Sequence, residues 1–289
     1  MKKTSEGATK RRSDKEKGAA PPALRGVVAP SLHRSFFRLD QLRAGIKPFR
    51  LHWFPRLRST SDHAAELRRR GDLYAPAIVL TGHQTAGRGR GANSWWSQPG
   101  VLTVTFAFPI NDLLAPHQIP LLAGLAVRDA VAAFVRGVDV QLKWPNDLLV
   151  ENRKLAGLLC ERVHKADLVG VGLNVNVDPA DAPDDLRRRV TSLLAFTRNP
   201  LNMTELLIAV AKSLHAMLTH QNERTFAQHL REYDRHHALL GRRVTVSAHP
   251  GEPPITGTCE GLDVMGRLLL RDRRTTHHVI AGQVQMGDE

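Results

Sequence analysis

The sequence predicts an α+β fold that ends in a small all-β unit, and three observations carry this. Strand-period apolar runs bounded by Gly, Pro or Asn turns recur at 77–80, 101–108, 138–142, from 148, at 155–160 and at 167–177. Helix-period stretches alternate with them at 61–70 and 116–136, and two more follow near 203–220 and 223–236. From Gly241 the texture changes to short strands separated by turns. With 289 residues, 42% of them hydrophobic, the chain can bury a full core. The expected organisation is a leader (1–50), a body (51–239) and a β unit (240–289).

The leader holds most of the charge. Residues 1–58 carry 15 of the 41 Lys and Arg and 4 of the 28 Asp and Glu, a net of +11 out of +13. The body is therefore nearly neutral. Residues 1–22 have no apolar periodicity and read as a disordered, solvated tail with at most weak polyanion affinity. Pro30, Pro48 and Pro55 break the next segment and leave one short helix near 35–43. That is too little chain for a helix-turn-helix domain, so specific DNA binding is not expected.

Ser59 and Thr60 open a helix over 61–70, and N-capping is their plain role. Residues 116–136 place Ile119, Leu122, Ala126, Val127, Ala130, Val131 and Phe134 on one face, which reads as core. In the strand 167–177, Gly170 and Gly172 let the backbone lie against a flat ligand. Strands are expected at 243–247, 255–262, 267–270 and 277–280, with a turn at Met265-Gly266. The fourteen histidines show no ligand spacing, and Cys160 and Cys259 lie inside strand-like runs as buried thiols of a reducing compartment. No apolar run reaches the ~20 residues of a membrane helix, and no apolar segment of a signal peptide follows the N-terminal charges. A cytoplasmic protein is expected.

Two segments carry chemistry. Gln84-Thr85-Ala86-Gly87-Arg88-Gly89-Arg90-Gly91 leads through Ala92-Asn93-Ser94 to Trp95-Trp96 between two strands. Its glycines let the backbone approach a ligand, its guanidiniums match phosphate, and its indoles offer a stacking face. No amphipathic helix follows, which disfavours a dinucleotide fingerprint. The plain alternative is a flexible surface loop. The second segment places Lys143 at the end of the run Val138, Val140, Leu142, before a Pro-Asn-Asp turn. A strand begins at Leu148, and Asn152-Arg153 is the expected turn into the next. A cation beside such a turn suits a developing negative charge, whereas Lys143 alone would read as a surface lysine.

Together these segments resemble the biotin protein ligases. That family carries a Gly-Arg-Gly-Arg loop ending in tryptophan, then Lys-Trp-Pro-Asn-Asp, then Lys-x-x-Gly with a glutamate, then Gly-x-Gly-x-Asn. This chain has them in the same order at 87–95, 143–147, 154–157 with Glu161, and 170–174. The resemblance covers residue 54 to the C-terminus and implies a class II aminoacyl-tRNA-synthetase-like catalytic domain over 51–239. It also implies a C-terminal SH3-like β-barrel that helps dock ATP and the acceptor protein.

The implied enzyme uses ATP and Mg²⁺ to convert biotin to biotinyl-5′-AMP. It then transfers biotin to a lysine of the biotin carboxyl carrier protein of acetyl-CoA carboxylase and of related biotin-dependent carboxylases. By position, the resemblance assigns biotin and its adenylate to Ser59, Thr60, Ser61, Gln84, Gly87, Arg88, Gly89, Arg90, Lys143, Gly157, Gly172 and Asn174. Trp95 covers the adenine, and Lys143, Arg88 and Arg90 are the catalytic charges. Backbone N–H groups of Gly87, Gly89 and Gly91 would form an anion nest. Asn146 and Asp147 either fix the turn or position metal and phosphate, and no fixed protein metal site is expected. The chain departs from the family at Ser61, where Asn is usual, and at 91–94, where many members continue with arginines. A lipoate-protein ligase is the nearest alternative, and a nucleic-acid-binding regulator acting through the basic leader is the alternative of a different class.

Overall fold

The computed structural model describes residues 36–221, 223–247 and 252–286. The elements are α1 (Leu39–Gly45), β1 (Arg50–Phe54), α2 (Thr60–Arg70), β2 (Ala77–Thr81), β3 (Gly87–Arg88), β4 (Ser94–Trp95), β5 (Val101–Pro109) and α3 (Ile119–Ala132). Then follow β6 (Gln141–Lys143), β7 (Asp147–Val150), β8 (Arg153–Val163), β9 (Ala166–Asn174), short helices α4 (Asp184–Arg187) and α5 (Leu194–Thr197), α6 (Met203–Thr219) and α7 (Glu223–Arg235). The last elements are β10 (Arg243–Ser247), β11 (Ile255–Leu262), β12 (Leu268–Arg271), β13 (Thr276–Val279) and β14 (Gln283–Met286).

A seven-stranded sheet in the order β1-β2-β5-β9-β8-β7-β6 forms the body. Only β1 and β2 pair in parallel. Strand β2 is buried throughout because both faces are covered. Ile78 and Leu80 join the main core, while Ala77 and Val79 meet Ala64 and Ala65 of α2 on the opposite face. Leu122, Leu125 and Val127 of α3 and Leu206, Leu207 and Leu214 of α6 fill the main core.

The β7–β8 turn is one residue earlier than expected. Val150 pairs with Arg153, and the two residues between them, Glu151 and Asn152, have φ of 52° and 61°. A two-residue hairpin loop of type I′ needs left-handed backbone at both positions, and the chain supplies Glu-Asn for it.

The C-terminal strands form a five-stranded antiparallel sheet, β13-β12-β11-β10-β14, consistent with an SH3-like domain. No ladder joins its two outer strands among the described residues. Strand β14 was not expected: its Gln283-Val284-Gln285 alternation is short, and only Val284 is buried. Hydrogen bonds that join this unit to the body include Gln118 Nε2 donating to the Met265 carbonyl at 3.2 Å and Arg242 Nη1 donating to Asn152 Oδ1 at 2.9 Å. Just before the unit, Leu142 of β6 exchanges backbone hydrogen bonds with His236 and Ala238.

The leader's boundary at residue 50 is corrected by packing. Phe37, Leu42, Ile46 and Phe49 are buried in the main core, with Phe49 edge-on to Phe106 and Phe108. The short helix expected near 35–43 is α1, and its few apolar residues do not by themselves say that it packs on the main core. Residues 1–35, for which a basic, solvated tail is expected, lie outside the described residues. A chain beginning at residue 51 is expected to show no cooperative thermal melt. Losing four buried large side chains at ~2–5 kcal/mol each rivals the ~5–15 kcal/mol by which a domain is stable. A chain beginning at residue 35 should melt as the full-length protein does, and identical melts for the two truncations would sink this prediction.

Candidate active site

The cleft lies on the α2 side of the sheet, where strand alternation gathers small and polar residues. Along β5, Leu102, Val104 and Phe106 enter the main core, so Thr103 and Thr105 face the other way. Along β9 the same phase puts Val169, Val171 and Leu173 in the core and Gly170, Gly172 and Asn174 opposite. Ser59 caps α2 by accepting from the Asp62 N–H at 3.2 Å, which sets Thr60 and Ser61 on the first turn beside these threonines. The cleft is lined by Ser59, Thr60, Ser61, Gln84, Arg88, Gly89, Arg90, Trp95, Thr103, Asn146, Lys154, Gly157, Leu158, Leu159, Gly170, Val171 and Gly172.

Its floor is a buried polar network. The Thr60 N–H donates to Gln84 Oε1 at 2.8 Å, and the Thr60 hydroxyl lies 3.3 Å from the same oxygen. Thr105 Oγ1 donates to Thr60 Oγ1 at 2.9 Å and lies 3.2 Å from Ser61 Oγ. Ser61 has room for this because a Cβ at position 170 would lie 2.6 Å from its hydroxyl.

The glycine-arginine segment is a small hairpin in which Gly87 pairs with Trp95 and Arg88 with Ser94. Its tip is tied by the Gly89 N–H, which donates to the Asn93 carbonyl at 2.7 Å. That N–H is therefore not free for an anion, which corrects the nest expected at Gly89. The two arginines differ. Arg88 Nε meets Asp62 at 2.6 Å and its Nη2 meets Glu161 at 2.9 Å, so its charge is offset from both sides. Arg90 has no carboxylate within ion-pair distance among the described residues. It donates to Asn146 Oδ1 at 3.4 Å and to the Gly282 carbonyl of the C-terminal sheet. Burial pulls its pKa down, partly countered by Asp147. Trp95 lays its indole on Gly172, where a Cβ would come within 2.4 Å of the ring, and Lys154 Nζ lies 5.7 Å from the ring centroid. The flat group against Gly172 in this structure is thus the protein's own tryptophan.

Lys143 and Asp147 face each other across the β6–β7 pairing. Burial pushes the Lys143 ammonium below its ordinary pKa; Asp147 acts against this, while Lys154 and Arg189 add to it. Asp147 is itself paired with Lys154 at 2.7 Å. Asn146 fixes the turn, its Nδ2 donating to the Leu158 carbonyl at 2.6 Å.

Of the residues singled out from the sequence, Ser59, Thr60, Ser61, Gln84, Arg88, Gly89, Arg90, Trp95, Asn146, Gly157 and Gly172 line the cleft. Gly87, Lys143, Asp147 and Asn174 do not. Gly87 sits behind it, where a Cβ would strike Gln84 Nε2 at 2.5 Å. Asn174 is buried and donates to the Thr191 carbonyl at 2.9 Å. Thr103, Thr105, Leu159, Val171 and Asp62 were missed. The period-2 pattern of 101–108 held the signal for both threonines, and an acidic residue in a helix's first turn was the only signal for Asp62.

Comparisons with known proteins bear on this geometry. The family model described as "Biotin/lipoate A/B protein ligase family" matches residues 53–178. Over 213 residues, 72% of this chain and 77% of the relative, the chain is 32% identical to the biotin--[acetyl-CoA-carboxylase] ligase of Mycobacterium tuberculosis. It is 29% identical over 238 residues to the ligase of the same name from Paracoccus denitrificans, covering 80% of this chain and 98% of the relative. The solved biotin protein ligase from Aquifex aeolicus in complex with biotin and ATP superposes with a TM-score of 0.74 at 27% identity. That superposition covers 83% of this chain and 99% of the solved one.

Proposed function

The chain belongs to the biotin/lipoate A/B protein ligase family, and on that premise we propose that it activates biotin with ATP and transfers it to a carrier protein. The product of the first step is biotinyl-5′-AMP. The acceptor is a lysine of the biotin carboxyl carrier protein of acetyl-CoA carboxylase and of related carboxylases. The observation that best supports this reading is the convergence on one cleft of the Ser59–Ser61 turn, the Arg88–Arg90 hairpin and the Lys154–Gly157 strand.

Biotin's carboxylate needs activation because its oxygen is a poor leaving group. In the first step that oxygen attacks the α-phosphorus, the P–O bond to the leaving diphosphate breaks, and pyrophosphate departs. Two anions must meet, and Arg90 and Lys143 are the charges proposed to offset their repulsion. Arg88, already countered by Asp62 and Glu161, is better placed to brace the hairpin. In the second step the carrier's ε-amine attacks the acyl carbon, the acyl–phosphate bond breaks, and AMP leaves. No enzyme nucleophile is needed. Among the described residues no group of three His, Cys, Asp or Glu could hold a metal, so Mg²⁺ is proposed to enter as part of the nucleotide substrate. Trp95 is the proposed cover for the adenine.

No helix among the described residues is long and apolar enough to cross a membrane. The proposed setting is the cytoplasm, without specific DNA binding.

Biotin-dependent exchange of pyrophosphate into ATP tests the proposal. Exchange with biotin but not with lipoate or octanoate is expected; preference for either of the others would make the chain a lipoate-type ligase.

A further inference from the structure

Resting on the biotin-ligase reading, we propose that Thr105 sets the hydrogen-bond polarity of the cleft floor and thereby selects a substrate carrying N–H groups. The orientation of the network follows from one donor that cannot be reversed. The Thr60 backbone N–H donates to Gln84 Oε1, so the oxygen of that amide faces α2. A carbonyl oxygen only accepts, so the Thr60 hydroxyl, 3.3 Å away, must donate to it. The Thr60 lone pairs then receive the single proton of Thr105 at 2.9 Å. Thr105 has none left for Ser61 at 3.2 Å, so Ser61 donates to Thr105. The relay runs from Ser61 through Thr105 and Thr60 to Gln84, all four buried.

This polarity fixes what the floor can offer. Ser61 Oγ has committed its proton and presents only lone pairs to the cleft. Gln84 Nε2, at the other end of the relay, lies against Gly87. Ser59 Oγ accepts from the Asp62 N–H and keeps its own proton to donate. The floor is thus an acceptor beside a donor. A cyclic urea, with N–H and C=O side by side, satisfies both kinds. The dithiolane of lipoate and the alkyl end of octanoate satisfy neither and would strand buried polar groups. Thr105 is fully buried and does not line the cleft. It is a positioning residue acting through Ser61 and Thr60. Without its hydroxyl, the Ser61 proton is free to turn into the cleft and oppose a substrate N–H.

Thr105→Val keeps the shape and removes the hydroxyl. It should raise KM for biotin roughly 10-fold in pyrophosphate exchange, the scale of one buried hydrogen bond, with kcat changed by less than about twofold and KM for ATP unmoved. Thr105→Ser should restore the wild-type KM. An unchanged KM for biotin, or a parallel loss in kcat and in KM for ATP, would overturn the proposal. A measurement on the unmodified enzyme avoids any folding defect of the variant. The biotin analogue whose ureido N–H groups are replaced by ring oxygens, a cyclic carbonate, should lose at least ~10-fold in KM. Equal use of biotin and the carbonate would show that no acceptor is read and overturn the assignment. Absence of biotin-dependent exchange by the wild type would instead refute the ligase reading itself.

Discussion

Lys143→Ala is expected to slow biotin-dependent pyrophosphate exchange by ~10²–10³-fold, the scale of removing one preorganised charge from a site where charge develops. The fold should survive. Asp147, which faces Lys143 across the strand pairing, keeps its 2.7 Å partner Lys154 and is not left as an orphan carboxylate. Linkage points the same way. Burial lowers the folded-state pKa of Lys143 below its unfolded value, so the charged form is what folding penalises. That penalty is present at neutral pH and is relieved only as pH rises through the lowered pKa. Removing the ammonium at pH 7 should therefore leave thermal stability equal or slightly higher. Exchange at the wild-type rate by a folded variant would take Lys143 out of the mechanism.

Arg90→Gly is expected to release biotinyl-5′-AMP roughly ten- to a hundred-fold faster than wild type, as the loss of one charge-assisted contact predicts. The geometry adds a reason. The guanidinium bonds to Asn146 beside the lysine turn and to the Gly282 carbonyl, so it ties the glycine hairpin to that turn and to the C-terminal unit. Glycine removes both ties and adds backbone freedom at the hairpin tip, which should depopulate the closed loop. Adenylate synthesis should persist in part while lysines of bystander proteins become labelled. The measurement is free biotinyl-5′-AMP, together with biotin on an unrelated protein mixed with the enzyme. If both stay at wild-type levels while synthesis continues, Arg90 does not retain the intermediate.

The two predictions differ in how far they were legible. Lys143 announced itself through Lys-Trp-Pro-Asn-Asp, yet the structure sets it behind the cleft lining and half-buries it. Arg90 was legible as one of two equivalent arginines. That they are not equivalent, Arg88 between two carboxylates and Arg90 without one, could not be read from Gly-Arg-Gly-Arg. The partners are Asp62 on α2 and Glu161 on β8, and 73 residues separate Arg88 from Glu161.

By itself the sequence determined the family, through four ordered motifs, and most helices and strands, through their periods. Those signals are local: capping by Ser59, the 3.6-residue stripe of α3 and the alternation of β5 need only neighbours along the chain. Tertiary structure alone decided which face of β5 meets the cleft and so brought Thr105 to Ser61, 44 residues away. It also decided that Phe37, Leu42, Ile46 and Phe49 belong to the core and that Arg90 reaches Gly282 across 192 residues. Period tells that residues alternate, not which side is covered. That choice is made when α2 and α3 pack on opposite faces of one sheet, because burying apolar surface on both sides is the largest favourable contribution to folding.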